Sequence, residues 1–179
     1  MLKSIFVTAA ILGSSLAAMQ TSAFAQSLER AMANYYRGDY ADAMKALTPF
    51  ATDGDRSAQF YIGYMHERGK GVPQDYSEAA KWYGQSAELG YPFAQNNLGV
   101  LYKHGRGVPK DRVAAYKWFG LAADGYQAAE LGNRDLALEN QENIAAQMSV
   151  EELEEAKNQI EEYRANEPVI PEYRPPNIR

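Results

Sequence analysis

The sequence predicts an all-α fold, a short solenoid of about four helical hairpins closed by a C-terminal capping helix. Three observations predict it. Residues 55–88 align with residues 91–124 at an offset of 36, with 13 of 34 positions identical; a period in the 20–50 residue range marks units that bury their apolar faces on their neighbours. Inside each unit the apolar residues recur at i, i+3, i+4, as in Ile62, Met65, His66 and again Leu98, Leu101, Tyr102, which is one stripe of a helix. No alternating run long enough for a strand appears before the C-terminal tail.

Residues 1–25 read as a signal peptide. Lys3 is their only charge, an apolar stretch runs from Ile5 to about Ala18, and Ala23-Phe24-Ala25 supplies small residues around a cleavage point after Ala25. The stretch is shorter than a membrane span and is diluted by Gly13, Ser14 and Ser15. The expected product is a periplasmic or secreted chain with no membrane insertion after cleavage.

Residues 26–165 then hold the solenoid. A first hairpin over 27–54 is anchored by Asp39, Tyr40, Ala43, Lys45, Ala51 and Gly54, each 36 positions before its counterpart in the next unit. Its loop is only Gly38-Asp39. The units 55–90 and 91–126 carry the loops Gly69-Lys70-Gly71-Val72-Pro73 and Gly105-Arg106-Gly107-Val108-Pro109. Glycine ends the first helix and reaches positive φ, while proline cannot continue the helix's hydrogen bonding. Asp75 and Asp111 follow as N-caps, and Asp75 with Glu78 has the spacing of a capping box. Trp82-Tyr83 and Trp118-Phe119 put aromatics on the second helix, with the two tryptophans expected as equivalent core positions. Residues 127–165 read as a capping hairpin. Ser149 and Glu152 form a capping box there, Leu153, Ala156, Ile160 and Tyr163 form the docked face, and Glu151, Glu154, Glu155, Lys157 and Glu161 form the wet one. Residues 166–179 hold Pro168, Pro171, Pro175 and Pro176 and read as an extended tail.

Composition narrows the function. The 179 residues have a formal net charge of −5 and no cluster of Lys and Arg, which argues against a nucleic-acid partner. The absence of Cys removes thiol nucleophiles, thiolate metal sites and disulfide frameworks. His66 and His104 are the only histidines, and neither has a His or carboxylate at i+4 to complete a helical metal pair. No Ser is followed three positions later by Lys. Gly69-x-Gly71 lacks the Lys-Ser/Thr and the preceding strand that a phosphate loop needs, and it recurs on schedule at Gly105-x-Gly107. The expectation is a monomer without enzymatic activity, cofactor or metal.

The repeated string of Ala58-Gln59, Gly63, Gly69-x-Gly71-Val72-Pro73, Asp75 and Lys81-Trp82-Tyr83, echoed 36 residues later, resembles the Sel1-like repeat, a relative of the tetratricopeptide repeat. The region from Ala31 to Gly54 is similar to a tetratricopeptide-type hairpin. The resemblance implies a right-handed superhelix acting as a protein-binding adaptor. It further implies an exported bacterial member of the kind linked to envelope signalling, envelope assembly or host contact. In such stacks the first helix of each pair lines the concave side. That register places Tyr35, Ser57, Phe60, Tyr64, Glu67, Phe93, Asn96, Val100 and Lys103 there, as a groove for a protein or peptide of unknown identity. Phenylalanine and tyrosine exposed in a groove are typical anchors. The same aromatics fit an alternative, a glycan- or peptidoglycan-associated envelope component.

Overall fold

The computed structural model describes residues 27–166; the signal-peptide reading and the Pro-rich tail, apart from Asn166, lie outside them. Helix α1 covers residues 27–37, followed by α2 (Tyr40–Thr52), α3 (Arg56–Arg68), α4 (Tyr76–Glu88), α5 (Pro92–His104) and α6 (Arg112–Gly125). A 3₁₀ turn (Ala128–Glu130) leads into α7 (Leu131–Ala145), and α8 (Val150–Ala165) closes the chain. The described residues are all-helical, and they form an α-solenoid in which α2, α3, α4, α5 and α6 pack each against the next.

Local chemistry sets the helix ends. The Asp55 carboxylate accepts from the Ala58 amide at 2.8 Å, Asp75 from the Ser77 and Glu78 amides at 2.8 and 3.0 Å, and Asp111 from Ala114 at 2.9 Å. Each satisfies amide protons that the first turn leaves without carbonyl partners. Glu78 does not complete the capping box expected at α4. Its carboxylate pairs with Lys81, and the Asp75 amide donates instead to the His66 carbonyl at 2.9 Å. The box at α8 forms in full, Glu152 N–H to Ser149 Oγ at 3.1 Å and Ser149 N–H to Glu152 Oε2 at 2.8 Å.

Packing within a unit turns on a glycine facing an aromatic ring. A Cβ on Gly63 would sit 2.8 Å from the Tyr83 ring, and one on Gly99 would sit 2.8 Å from the Phe119 ring. Both rings are fully buried. Buried Gln59 and Gln95 then join successive units, each donating from Nε2 at 3.1 Å to the carbonyl of Ala51 or Ala87 near the end of the preceding helix. Those carbonyls have no amide to accept from within their own helix.

Two further expectations need correction. Trp82 and Trp118 are not equivalent: Trp118 is buried at 5% exposure, whereas Trp82 is half-buried on the edge of the N-terminal cluster. The difference comes from α8, which covers Trp118 with Ile160 and with Tyr163 at 6.0 Å between ring centroids. Nor do α7 and α8 pack as the earlier pairs do. Both lie against α6, because α7 buries only Ala137 and Ile144, and the apolar face of α8 finds its partners on α6 instead. Tyr163 reaches back beyond α6 and donates its hydroxyl to the carbonyls of Ala87 and Glu88 at 3.1 and 3.2 Å.

Candidate functional site

The first helices of the successive pairs, α1, α3 and α5, carry a row of touching aromatic rings. Phe93 meets Phe60 at 6.0 Å between centroids, Phe60 meets Tyr61 at 5.3 Å, and Tyr61 meets Tyr35 at 5.0 Å, while Tyr126, just after α6, packs against Phe93 at 5.2 Å. Tyr64 and Tyr36 flank this line, and the Tyr36 and Tyr61 hydroxyls are hydrogen-bonded. Edge-on and tilted contacts at these distances are the preferred aromatic geometries. Tyr91 and Tyr126 are buried beneath the row. Tyr35, Phe60, Tyr61, Tyr64 and Phe93 keep part of their surface in water, and Tyr36 is 55% exposed.

At the N-terminal end of the row the loop residue Lys70 lays its ammonium over three rings, those of Tyr40, Tyr35 and Tyr64, at 4.8, 5.2 and 5.3 Å. This is a cation–π arrangement, with a weak hydrogen bond from Nζ to the Tyr35 hydroxyl at 3.4 Å. Tyr40 raises the lysine's pKa, burial opposes it, and Tyr35 adds to the rise. Lys70 therefore keeps its charge throughout the physiological range. The device repeats one unit on, where the Arg106 guanidinium lies 5.7 Å from the Tyr76 ring centroid.

Below the row Glu67, Tyr83 and Asn97 form a hydrogen-bonded chain. The Tyr83 hydroxyl donates to Glu67 Oε2 at 2.6 Å and accepts from Asn97 Nδ2 at 3.0 Å. Burial, reinforced by the Glu67 charge, pushes the Tyr83 phenol far upward. Tyr83 is thus a fixed donor that ties three helices together.

Of the residues expected on this face, Tyr35, Phe60, Tyr64 and Phe93 come together in the row, with Glu67 directly beneath. Asn96 follows Phe93 by one turn, its Oδ1 buried and without a hydrogen-bond partner. Val100 and Lys103 sit where α7 meets α5. Val100 packs with Phe119 and Ile144, and Lys103 donates to Asn140 at 2.9 Å. Ser57 is buried and donates to Asp55 at 2.6 Å. Sequence reasoning missed Tyr36, Tyr40, Tyr61 and Lys70. A signal for Tyr61 was available: where the unit 91–124 has Asn96, Asn97 and Val100, the unit 55–88 has Phe60, Tyr61 and Tyr64. Subtracting one repeat from the other isolates the aromatics that repeat packing does not require. His66 is half-buried with Nδ1 unpartnered, and His104 is exposed; among the described residues no three His, Cys, Asp or Glu side chains group to hold a metal.

The family model of the Sel1 repeat matches residues 56–91 and again residues 92–125. The chain carries two Sel1 repeats. Each match opens on the first residue of α3 or α5 and takes in the helix pair with its glycine loop. The chain is similar in structure to a protective antigen present in uropathogenic Escherichia coli strains that displays an SLR fold. The TM-score is 0.69 at 27% identity, over 78% of this chain and 29% of the antigen. It is also similar to a Sel1 repeat protein from Oxalobacter formigenes, with a TM-score of 0.53 at 34% identity, over 57% of this chain and 41% of that one. The chain therefore spans less than half the length of either. No curated protein matches its sequence.

Proposed function

We propose that this Sel1 repeat chain is an exported, non-enzymatic adaptor of the bacterial envelope that binds a protein or peptide across α1, α3 and α5. The observation that carries this reading is the row of part-exposed rings running from Phe93 to Tyr36, with the Lys70 cation at its far end. Aromatic surface left in water where repeat packing does not need it costs solubility, and desolvating it on a partner is the compensating gain. Sel1 repeat proteins are generally protein-interaction scaffolds, which agrees with the reading. Export is supported by residues 1–25, and no described helix is long and apolar enough to cross a membrane.

Site-specific photocrosslinking in living cells tests it. A photoreactive phenylalanine at Tyr36 or Tyr64 should trap one defined protein, while the same group at Lys81 or Gln85, exposed on α4, should trap none. Equal trapping from both sets of positions, or none from Tyr36 and Tyr64, would remove the aromatic face as the binding surface. Trapping of cell-wall glycan would replace the partner class.

A further inference from the structure

Two cations meet on one ring at the N-terminal end of the aromatic row. The Arg68 guanidinium lies 5.4 Å from the Tyr64 ring centroid, and the Lys70 ammonium lies 5.3 Å from it. Arg68 is the last residue of α3 and is exposed; Lys70 follows in the glycine loop and is half-buried. Neither forms an ion pair with a carboxylate among the described residues. The carboxylates nearest in sequence are engaged elsewhere: Asp39 pairs with Arg37, Glu67 accepts from Tyr83, and Asp75 caps α4. An ammonium has three protons to donate, and Tyr35 takes one of those on Lys70, at 3.4 Å. Two like charges held against one ring repel each other, so an anion brought to them gains from both.

The surroundings select the kind of anion. The rings of Tyr35, Tyr36, Phe60 and Tyr61 meet at interplanar angles of 58° to 81°. They therefore present edges and notches that fit apolar side chains, not the coplanar platform on which flat rings stack in succession. A nucleic acid would need a longer basic stripe than two cations supply. The chain as a whole has a formal net charge of −5, and α8 carries six glutamates against Lys157 and Arg164, both of which are already ion-paired. An acidic chain is thus repelled by most of this molecule and attracted at the Arg68–Lys70 end of the row, which fixes its register as well as its place.

We propose that the partner is a separate protein that docks through an acidic segment, its apolar side chains on the rings from Phe93 to Tyr36 and its carboxylates on Arg68 and Lys70. This rests on the reading of that face as a protein-binding surface, and it adds the chemistry of what binds there.

The test is to map the segment trapped in living cells by a photoreactive phenylalanine at Tyr36 of the full chain, and then to reverse the charges. The trapped segment should be acidic. With Arg68→Glu and Lys70→Glu together, its capture should fall by at least about tenfold, whereas Lys45→Glu, exposed on α2, should leave it unchanged. Replacing the acidic residues of the trapped segment by Lys should restore capture by the double variant and abolish capture by the wild type. That exchange cannot arise from a misfolded chain, and Arg68→Glu alone, which leaves the loop intact, should already lower capture several-fold. A neutral or basic segment, or an acidic one whose capture survives the charge reversal, overturns the acidic specificity while the binding face stands. Trapping of α8 from a second copy overturns the separate partner, and trapping of cell-wall glycan overturns a protein partner of any kind. No capture from Tyr36 or Tyr64 overturns the face itself and this proposal with it.

Discussion

Gly71 and Gly107 sit where the loop of one unit presses on the helix start of the unit before it. Both have positive φ, +75° and +71°. A Cβ on Gly71 would lie 2.8 Å from the Tyr40 carbonyl carbon, and one on Gly107 would run into the Tyr76 backbone. Gly38 shares the positive φ, at +87°, but has nothing within 4 Å of that position. Gly107→Ala therefore adds a backbone clash to a left-handed strain of about 1 to 3 kcal/mol, whereas Gly38→Ala carries the strain alone. Thermal denaturation should show Gly107→Ala as clearly the more damaging; equal shifts would mean that the loop does not press on the preceding unit. The tryptophans separate in the same way. Trp118→Ala should cost about 3 to 5 kcal/mol as a buried large-to-small change, and Trp82→Ala less, about 1 to 2 kcal/mol, because part of its surface is already in water. Denaturant midpoints of the two variants decide it. Phe60 contacts Tyr83 and Tyr91 as well as its neighbours in the row, so replacing it weakens the fold together with the surface, and Tyr36 is the cleaner probe of binding.

At the scale of a helix, Asp75 shows how a cap makes stability depend on pH. The Glu78 amide holds the Asp75 carboxylate below its ordinary pKa; desolvation opposes it, and the Ser77 amide adds to the lowering. A group with a lower pKa folded than unfolded contributes stability above its unfolded value, near pH 4, and loses that contribution as the pH falls further. Asp75→Asn keeps an oxygen acceptor for the two amides and removes the titration. The variant's acid-unfolding curve should be flatter below about pH 4 than the wild type's, with helix α4 still formed by circular dichroism. An unchanged acid limb would show that other carboxylates dominate. His104 shifts downward too, through burial and then Arg106, Lys103 and Lys110. The fold therefore favours its neutral form, and protonation as the pH falls through the ordinary histidine range works against stability.

For the whole molecule the decisive feature is that α8 does not close the stack as one more second helix. It lies on α6, fills the space over Trp118 and Leu121 with Ile160, and ties back to the end of α4 through Tyr163. Ile160→Ala should cost about 2 to 5 kcal/mol by leaving a cavity at that seam. Tyr163→Phe should cost about 1 kcal/mol, since it removes only the hydroxyl that caps α4. Hydrogen exchange should place the loss from Tyr163→Phe at the α4 end and the α8 terminus together; protection lost in α8 alone would mean that the tie to α4 carries no load.

The repeat length, the glycine loops, the aspartate caps and the helical character of every described segment were legible in the sequence. Each depends on residues a few positions apart or on a pattern that recurs every 36 residues. The face of the candidate site was legible to the same extent, because Phe60, Tyr64 and Phe93 stand at first-helix positions. What the sequence did not determine was the company those rings keep. Tyr61 lies one residue out of the expected register, Tyr40 belongs to a second helix and Lys70 to a loop, so only the stacking of neighbouring units brings them together. The difference between Trp82 and Trp118 has the same origin. A repeat encodes what every unit shares, whereas burial at a given unit depends on which element lies over it, and α8 covers only one of the two.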